Sequence, residues 1–584
     1  MFSKLLFLLD LDQKKSVIKI FIFLLIAMML EVAGIGIVIP MVGLVIESDS
    51  ILIQKIFLLF ASIGIKDYFN VIIFILFLFT LFFLIKSIFL TFVLWIQNKF
   101  IYDLKVSISD KLFKKYLSQK YSFHLNRNSA EYIRNINNEV DTLSGTINFL
   151  LTLITESLIS IGILIFLITL EPLLTITVIC IFGFVAGMFY YIIRNKSLNW
   201  GLKRQYFDGK KIQQLQQAFG GIKEIKLRNK EDIFHQFYSR FNLGSSIMSR
   251  NQSFVSSFPR YWLEFLVIVC FFLTVYILKI SGQDSSSILP TLAVFSAAAF
   301  KVYPSTNKIL SSLQMVRYNL PVINLIFNEM SLREDNLKNV ESTKHSNNIT
   351  FNDQIKIDIN EFKYSNKGNK ILNEINFQIP KGTAIGIIGN SGAGKSTLID
   401  IILGLLDVDS NSVTVDGISI NNNIISWQNK IGYVPQNIYL MDDTLEKNIA
   451  FGIKDELIDN ESLANSLKLA QLDKFVNELS EGEQTFIGEN GARLSGGQKQ
   501  RIGIARALYS KPEILVLDES TSALDHNTEK EILETIKNLK GAITSIIISH
   551  KVDNLSFCDK ILVIEDGNIS YFDNYNNLPD KYKN

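Results

Sequence analysis

Six apolar runs, each long enough to cross a bilayer as a helix, occupy most of the first 320 residues of this 584-residue chain. A transmembrane helix needs about 20 apolar residues, and its backbone polar groups have to be satisfied internally because lipid offers no partners. The sequence therefore predicts an all-α membrane domain over residues 1–330. The predicted spans are residues 17–46, 68–96, 140–170, 172–194, 254–280 and 288–320.

The cations predict how these spans are oriented. The gaps at 97–139 and 195–253 are long, polar and rich in lysine, whereas the other gaps hold few cations. Since positive charge marks the cytosolic side, we expect the N-terminus, both long gaps and the C-terminal region to lie in the cytosol of a multi-pass protein of the cytoplasmic membrane. The first run is too long for a secretory signal.

One apolar piece, residues 51–65, is too short to span the bilayer. It predicts either a helix that packs on the spans or an external helix that contacts a lipid tail. The net charge of +2 gives no reason to expect a nucleic-acid partner. Three cysteines that lie far apart predict neither a disulfide framework nor a zinc site.

After a linker at 331–350, residues 351–584 alternate short β-branched runs with helical stretches, which predicts an α/β domain. A strand at 384–388 is followed by a glycine-rich turn and then by a helix. Such a turn points backbone N–H groups and a helix N-terminus at phosphate. It predicts a P-loop NTPase that binds ATP and Mg²⁺. The residues of the turn are Gly389, Asn390, Ser391, Gly392, Ala393, Gly394, Lys395, Ser396 and Thr397.

Within this turn, Lys395 is expected to meet the β- and γ-phosphates, and the Ser396 hydroxyl to meet Mg²⁺. Asp518 ends an apolar strand at 514–517, where a carboxylate can hold Mg²⁺ through water. Glu519 follows it directly. The chain is therefore predicted to be an ATP hydrolase.

Further motifs follow in an order that, after six spans, resembles the ABC exporters. Gln436 follows Ile431–Pro435, and His550 follows a strand at 544–549. The resemblance implies that Gln436 senses Mg²⁺, that His550 lies near the γ-phosphate, and that Glu519 polarises the attacking water. It also implies that Tyr364 stacks on adenine, the alternative being an ordinary surface aromatic.

The same resemblance implies a dimer, because the motif 494–498 caps the γ-phosphate that is bound to the other subunit. One membrane domain and one nucleotidase make a half-transporter, and a homodimer is expected, with a heterodimer as the alternative. The stretches near 121–129 and 213–221 match the helices that couple the two domains, and Gly488–Gly491 matches a loop that contacts them. The motif residues are Leu494, Ser495, Gly496, Gly497 and Gln498, with Ser522 and Asp525 at the dimer seam.

Three cations inside the spans point to the cargo. Lys86, Arg260 and Lys301 lie at similar depths in otherwise apolar runs, and ionisable residues in a membrane mark function by default. They predict a belt that binds an anionic lipid headgroup. The alternative is structural pairing with Glu31, Glu156 and Glu264, and Arg260 and Glu264 have the spacing of a helical ion pair.

The stretches 258–264, 299–308 and 432–440 resemble the bacterial flippases for lipid-linked oligosaccharides, the PglK type. This resemblance implies a polyprenyl-pyrophosphate-linked glycan as cargo and the three cations as its pyrophosphate site. Lys86 and Lys301 stand where that group has arginine, so charge is kept but bidentate grip is lost. The alternatives are a lipid A-type or multidrug exporter and, in another class, an ATP-gated channel or regulator.

Overall fold

A computed structural model describes residues 1–37, 68–280, 285–332, 348–364, 368–409, 411–519 and 524–582. The chain forms two compact units, Met1–Gln119 with Asn126–Glu334 and Lys120–Leu125 with Asp335–Asn584. The short outer segment 51–65, residue Ser522 and most of the predicted linker lie outside the described residues. The predicted membrane domain therefore differs from the first unit in one internal segment, 120–125.

The first unit is helical. Three of its helices, α3, α7 and α9, contain 49 or 50 residues each, more than twice the length that a bilayer requires. Its elements are α1 Phe2–Leu8, α2 Leu11–Gly36, α3 Tyr68–Leu117, α5 Ser129–Ile133, a π-helix Arg134–Glu139, α6 Val140–Leu170, α7 Pro172–Gly220, α8 Ile222–Leu227, α9 Glu231–Ile280, α10 Ser285–Tyr318 and α11 Leu320–Met330, while α4 Tyr121–Leu125 belongs to the second unit.

Five of the described helices are long and apolar enough to cross a membrane: Leu11–Gly36, Ile73–Leu117, Ser129–Leu170, Pro172–Gly220 and Glu231–Ile277. The sixth predicted span coincides with α10, whose described part is more polar and is not among the five. The predicted polar gaps are largely continuations of the spans. Helix α3 runs on from the second span to Leu117, and α7 runs on from the fourth span to Gly220.

The membrane helices of the first unit pack through small and branched side chains. One buried cluster joins α2, α6 and α10 through Ile35, Ile163 and Ala298, among others. Helices α7 and α10 are in close contact at Gly201, where an added Cβ would lie 1.9 Å from the carbonyl oxygen of Tyr318. Gly201 is therefore needed for the contact between these two helices.

The second unit contains two sheets. An antiparallel sheet has the order β2-β1-β4-β5, and a six-stranded sheet has the order β10-β9-β3-β8-β7-β6, parallel from β9 to β6. The strands are β1 Gln354–Phe362, β2 Leu372–Pro380, β3 Ala384–Gly389, β4 Val413–Val415, β5 Ile418–Ser419, β6 Ile431–Val434, β7 Ile514–Asp518, β8 Thr544–Ile548, β9 Lys560–Glu565 and β10 Asn568–Asp573.

Helices cover this parallel sheet, as its two buried faces require. They are α12 Lys395–Ile402, α13 Ile424–Gln428, α14 Leu445–Ile449, α15 Asn460–Leu469, α16 Asp473–Asn477, α17 Gly496–Tyr509 and α18 His526–Leu539. Trp427 is fully buried in the core, and its indole N–H donates to the carbonyl of Ile402 at 2.8 Å. In the same unit, Lys120, next to α4, forms an ion pair of 2.8 Å with Asp407.

Replacing Gly201 with alanine tests the close contact of α7 with α10. Alanine favours helices by up to about 1 kcal/mol over glycine, but overpacking costs about 1–3 kcal/mol. We therefore expect Gly201→Ala to lower the thermal unfolding midpoint of the purified full chain. The matched control is Gly187→Ala in the same helix, where an added Cβ meets nothing within 4 Å. A midpoint for Gly201→Ala that equals or exceeds that of the control would contradict this account.

Candidate functional site

The glycine-rich turn connects β3 to α12 in the second unit. Gly394 precedes α12 with φ 102°, a conformation that favours glycine. A Cβ at this position would lie 2.7 Å from Cδ2 of Leu372 and 3.1 Å from the carbonyl oxygen of Ile371. Both the positive φ and the lack of room for a Cβ therefore require glycine at this position. The first N–H groups of α12 have no partner within the helix and are available to a ligand.

Lys395 lies inside this turn. Its side chain is buried, and Nζ donates to the carbonyl oxygens of Gly389 at 2.8 Å and Asn390 at 3.1 Å. Burial lowers the pKa of Lys395, an effect that the carboxylates of Glu519 and Asp518 oppose. The ammonium group is thus held where a phosphate at the N-terminus of α12 would meet it.

Glu519 has both carboxylate oxygens occupied. Oε1 lies 2.7 Å from Nε2 of His550, and Oε2 accepts a hydrogen bond of 2.6 Å from Nε2 of Gln436. The backbone of Glu519 has φ 49°, which is unusual for a residue with a side chain and often occurs at functional sites. The structure thus brings three of the predicted site residues into one hydrogen-bonded group.

Asp518 ends strand β7 beside this group and is buried. Burial raises the pKa of Asp518, and the neighbouring Glu519 adds to the shift while Lys395 opposes it. Asp400 on α12 is a carboxyl group that the sequence analysis missed. Burial raises the pKa of Asp400 to about 6, with a further contribution from Asp518. Nothing in the spacing of the motifs points to Asp400, because its environment depends on how α12 packs.

The predicted Mg²⁺ residues supply oxygen donors. Asp518 offers a carboxylate, Ser396 an exposed hydroxyl and Gln436 an amide oxygen, and Mg²⁺ prefers such ligands and keeps several waters. Among the described residues, no group of three or more His, Cys, Asp or Glu could hold a metal ion. A Mg²⁺ site here would therefore depend on ATP and water as further ligands.

Tyr364 lies close to α12, the helix that follows the glycine-rich turn. Its hydroxyl is 3.0 Å from Oγ1 of Thr397, and its ring, which contacts Phe362 edge-on at 5.3 Å, is 49% exposed. An exposed ring fixed at one end can stack on a planar base. The hydroxyl contact with Thr397 was not expected from the sequence.

The signature motif begins α17. Oγ of Ser495 accepts from the N–H of Gln498 at 3.2 Å, and the Gln498 side chain accepts from the N–H of Ser495 at 2.8 Å. This capping box fixes the N-terminus of α17, while Ser495 and Gly496 are exposed in the single chain. Next to it, Lys499 donates to the carbonyl of Asn490 in the short helix Glu489–Gly491. The N-terminus of α17 is therefore accessible at the surface of the single chain, to a ligand or to a partner subunit.

Asp525, predicted at the dimer seam, is the N-cap of α18. Its side chain accepts from the N–H of Thr528 at 3.1 Å, and this hydrogen bond lowers the pKa of Asp525. The sequence does carry the signal for a cap, an aspartate just before an amphipathic helix. Its partner in the prediction, Ser522, lies outside the described residues.

In the first unit, two of the three predicted substrate-binding cations form ion pairs with the same carboxylate. Nζ of Lys86 is 2.7 Å from Oε2 of Glu31, and Nζ of Lys301 is 2.6 Å from Oε1 of the same residue. The structure thus joins α2, α3 and α10 through one carboxylate, a contact that the sequence analysis kept as the structural alternative.

Arg260 lies in a separate pair. Its Nε is 3.3 Å from Oε1 of Glu264 one helical turn away, and that oxygen also accepts from the hydroxyl of Tyr303 at 2.7 Å. Glu156, the third carboxylate considered, instead binds Lys308 and Ser305, each at 2.6 Å. The substrate role of the three cations stays a prediction, and each of them has an acidic partner in the single chain.

Two family models match the chain. The model described as ABC transporter transmembrane region matches residues 17–301. The model described as ABC transporter matches residues 372–522, in the second unit. A solved structure of a bacterial Atm1-family ABC exporter with ATP bound has a TM-score of 0.80 and 20% sequence identity, and covers 96% of each chain. At this identity the likeness shows the fold: a helical membrane domain followed by an α/β nucleotide-binding domain.

Curated relatives agree with the family models. The ATP-dependent lipid A-core flippase of Saccharophagus degradans is 30% identical over 475 residues, 81% of this chain and 79% of that protein. The flippase of the same name from Blochmanniella pennsylvanica is 28% identical over 81% of this chain and 80% of its own. That of Escherichia coli is 38% identical over 37% of each chain.

These names support the lipid A-type alternative more than the oligosaccharide flippase that we predicted. The ATPase domain hydrolyses ATP in coupling to transport, as the match to the family requires. The chain belongs to the ABC transporter family, as an exporter half-transporter whose membrane-spanning domain and ATPase share one polypeptide.

Proposed function

We propose that a dimer of this chain uses ATP to move a lipid with an anionic headgroup from the inner to the outer leaflet of the cytoplasmic membrane. The observation that carries this proposal is an apolar groove between α9 and α10 that ends in polar groups. The groove is lined by Ile268, Phe271, Phe272 and Phe300, and Glu264 and Tyr303 lie at its border.

The groove suits a molecule that is apolar along most of its length and polar at one end. Phe300 and Phe272 are 84% and 69% exposed, so the lining can contact hydrocarbon chains directly. At the polar end, Glu264 holds Arg260 and Tyr303 together, and an arginine can bind phosphate with two parallel hydrogen bonds. A multidrug exporter would not need this combination of an apolar groove and fixed cations.

Two lipid classes fit this description. The names of the relatives favour a lipid A-type glycolipid, and the predicted polyprenyl-pyrophosphate-linked glycan is the second candidate because its headgroup carries phosphates as well. In both, the phosphates are the chemistry that Arg260 and Lys301, the two more exposed cations of the predicted belt, would bind, while Lys86, paired with Glu31, contributes its charge nearby.

We assign the ATP site to the residues gathered around the phosphate-binding turn. Lys395 binds the phosphates, Tyr364 stacks on adenine, and Ser396, Gln436 and Asp518 would hold Mg²⁺. When bound, Mg²⁺ offsets the negative charge of the phosphates. Glu519 then accepts the proton of the attacking water. In the single chain each of its oxygens has one polar partner, which leaves a second lone pair on each oxygen for the water.

We assign the signature motif to the partner copy's ATP. Ser495 and Gly496 are exposed at the N-terminus of α17, where N–H groups and the helix dipole favour an anion. An ATP-gated channel or regulator would not need Glu519 together with an intact signature. The arrangement therefore favours a pump with two equivalent sites.

Glu519→Gln tests the general base. The amide keeps the size and shape of the side chain but cannot accept the proton, so we expect ATP turnover of the full transporter to fall by about 10²-fold or more while ATP binding is retained. Lys395→Ala is the comparison, because it removes the phosphate-facing charge and should weaken ATP binding itself. Near wild-type hydrolysis by Glu519→Gln would rule out this role.

Mixed dimers test whether each ATP site is shared. Homodimers of Lys395→Ala or of Ser495→Arg should be inactive, because each change damages both sites. Co-expressing the two chains with different affinity tags and isolating the mixed dimer should restore part of the ATPase activity, since one site then combines intact Lys395 with intact Ser495. If the sites were built within single chains, the mixed dimer would be as inactive as the parents.

Reconstituted vesicles test the cargo. We expect ATP-dependent movement of lipid A or of a short-chain polyprenyl-pyrophosphate-linked glycan, but not of phosphatidylcholine, from the ATP-accessible leaflet to the other. The Glu519→Gln variant provides the matched inactive transporter. Movement of neither anionic lipid, or equal movement of phosphatidylcholine, would contradict the proposed function.

A further inference from the structure

The three charged residues Glu31, Lys86 and Lys301 form what we call the Glu31 cluster. They come from α2, α3 and α10, and each lysine ammonium contacts a different oxygen of the one carboxylate, at 2.7 Å and 2.6 Å. Charge-assisted hydrogen bonds of this length are among the strongest in proteins. The cluster therefore ties together three helices of the membrane unit.

The two lysines differ in their surroundings. The side chains of Glu31 and Lys86 are 3% and 11% exposed, whereas that of Lys301 is 39% exposed. Lys86 also lies over the ring of Phe83, with Nζ 4.9 Å from the centroid, and a Cβ at Gly34 would come within 3.1 Å of Nζ. Lys86 is thus enclosed, and Lys301 is the member of the cluster that a ligand can reach.

The cluster also has an excess of positive charge. Among the described residues, two ammonium groups share one carboxylate, and no other acidic group contacts either of them. An uncompensated charge in a membrane segment is costly, and an anion at the exposed side of Lys301 would offset it. The excess positive charge of the cluster thus indicates an anionic ligand, independently of the apolar groove between α9 and α10.

We propose that Glu31 is a specificity-determining residue for the transported lipid, because it competes with the lipid headgroup for Lys301. A phosphate that binds would take Nζ of Lys301 from Oε1 of Glu31. Lys86 stays on Oε2, so the buried carboxylate is never left unpaired, which would be strongly unfavourable. This inference rests on the proposed function and deepens it.

A headgroup has to carry enough negative charge to replace the carboxylate. Doubly charged phosphates on a glycolipid can do so, whereas the phosphate of a zwitterionic headgroup is already compensated by its own ammonium. The cluster would then reject the abundant zwitterionic lipids by making each of them compete with Glu31.

The test is equilibrium binding of lipid A to the purified full chain in detergent, with phosphatidylcholine as the comparison lipid. The key variant combines Glu31→Gln with Lys86→Gln. It removes the buried pair as a unit and leaves one positive charge, the same net charge as the wild-type cluster, but frees Lys301. We expect its Kd for lipid A to be about tenfold lower than that of the wild type.

Variants of Lys301 complete the set. Lys301→Gln should raise the Kd for lipid A by about tenfold, Lys301→Arg should restore it, and adding Lys301→Gln to the double variant should cancel its gain. Lys105→Gln breaks a partly exposed ion pair between the polar gap 97–139 and Asp141 at the start of the third predicted span. It is the matched control and should leave the Kd unchanged. A purely structural cluster would change stability without changing the ratio of the two lipids' Kd values.

Two results would overturn the inference: a wild-type Kd for lipid A in the folded double variant, or in Lys301→Gln. If the double variant does not fold, Glu31→Asp replaces it. Its shorter carboxylate keeps the charge but reaches Lys301 less well, so an unchanged Kd would equally overturn the inference. Binding without ATP-dependent movement of either anionic lipid in vesicles would instead refute the proposed function alone. If the wild type bound neither lipid A nor the short-chain polyprenyl-pyrophosphate-linked glycan, both would be refuted.

Discussion

Lipid offers no hydrogen-bond partners, and this constraint governs the first half of the chain. It explains why the membrane unit consists of helices, five of which are described and long enough to cross a bilayer. It also explains why charges within them are paired with one another. Glu31, Glu156 and Glu264 each bind at least one cation. Because the first two pairs connect different helices, the same contacts that satisfy the charges also fix the packing.

In the second half of the chain, the parallel sheet determines where the site residues lie. Strands β3, β7 and β8 are neighbours, and their carboxyl ends meet at one edge, where ligands bind in such folds. The glycine-rich turn follows β3, Glu519 follows β7 and His550 follows β8. Residues that are more than 100 positions apart in the sequence therefore reach one site because their strands are adjacent. Gln436 joins them from the loop after β6.

Local patterns allowed much of this to be predicted. The phosphate-binding turn, the strand before Asp518 and the order of motifs are each written in a few consecutive residues, and the pair Arg260–Glu264 follows from helical spacing. The Glu31 cluster could be suspected but not assigned, because it depends on which faces of α2, α3 and α10 meet. The same is true of Asp400, whose carboxyl group is unusual only through its burial, and of the hydrogen bonds that hold Glu519.

The sequence also left the cargo open, for a physical reason. A cation in a span looks the same in the sequence whether it faces a carboxylate or a phosphate, and here Lys86, Arg260 and Lys301 all have carboxylate partners within the chain. The polar gaps were expected to be helix-prone, and residues 97–117 and 195–220 continue α3 and α7 without a break.

The positive φ of Glu519 has a consequence for how such chains diverge. A left-handed backbone disfavours glutamate relative to asparagine or glycine, so the proposed catalytic carboxylate is kept at some expense in backbone conformational energy. A copy of this transporter released from selection for hydrolysis would relieve that backbone cost by replacing Glu519 with one of these two residues, at the loss of the contacts with Gln436 and His550. Degenerate ATP sites in half-transporters with an asymmetric partner are then expected to carry asparagine or glycine at this position more often than alanine or leucine, because the backbone alone favours those two residues.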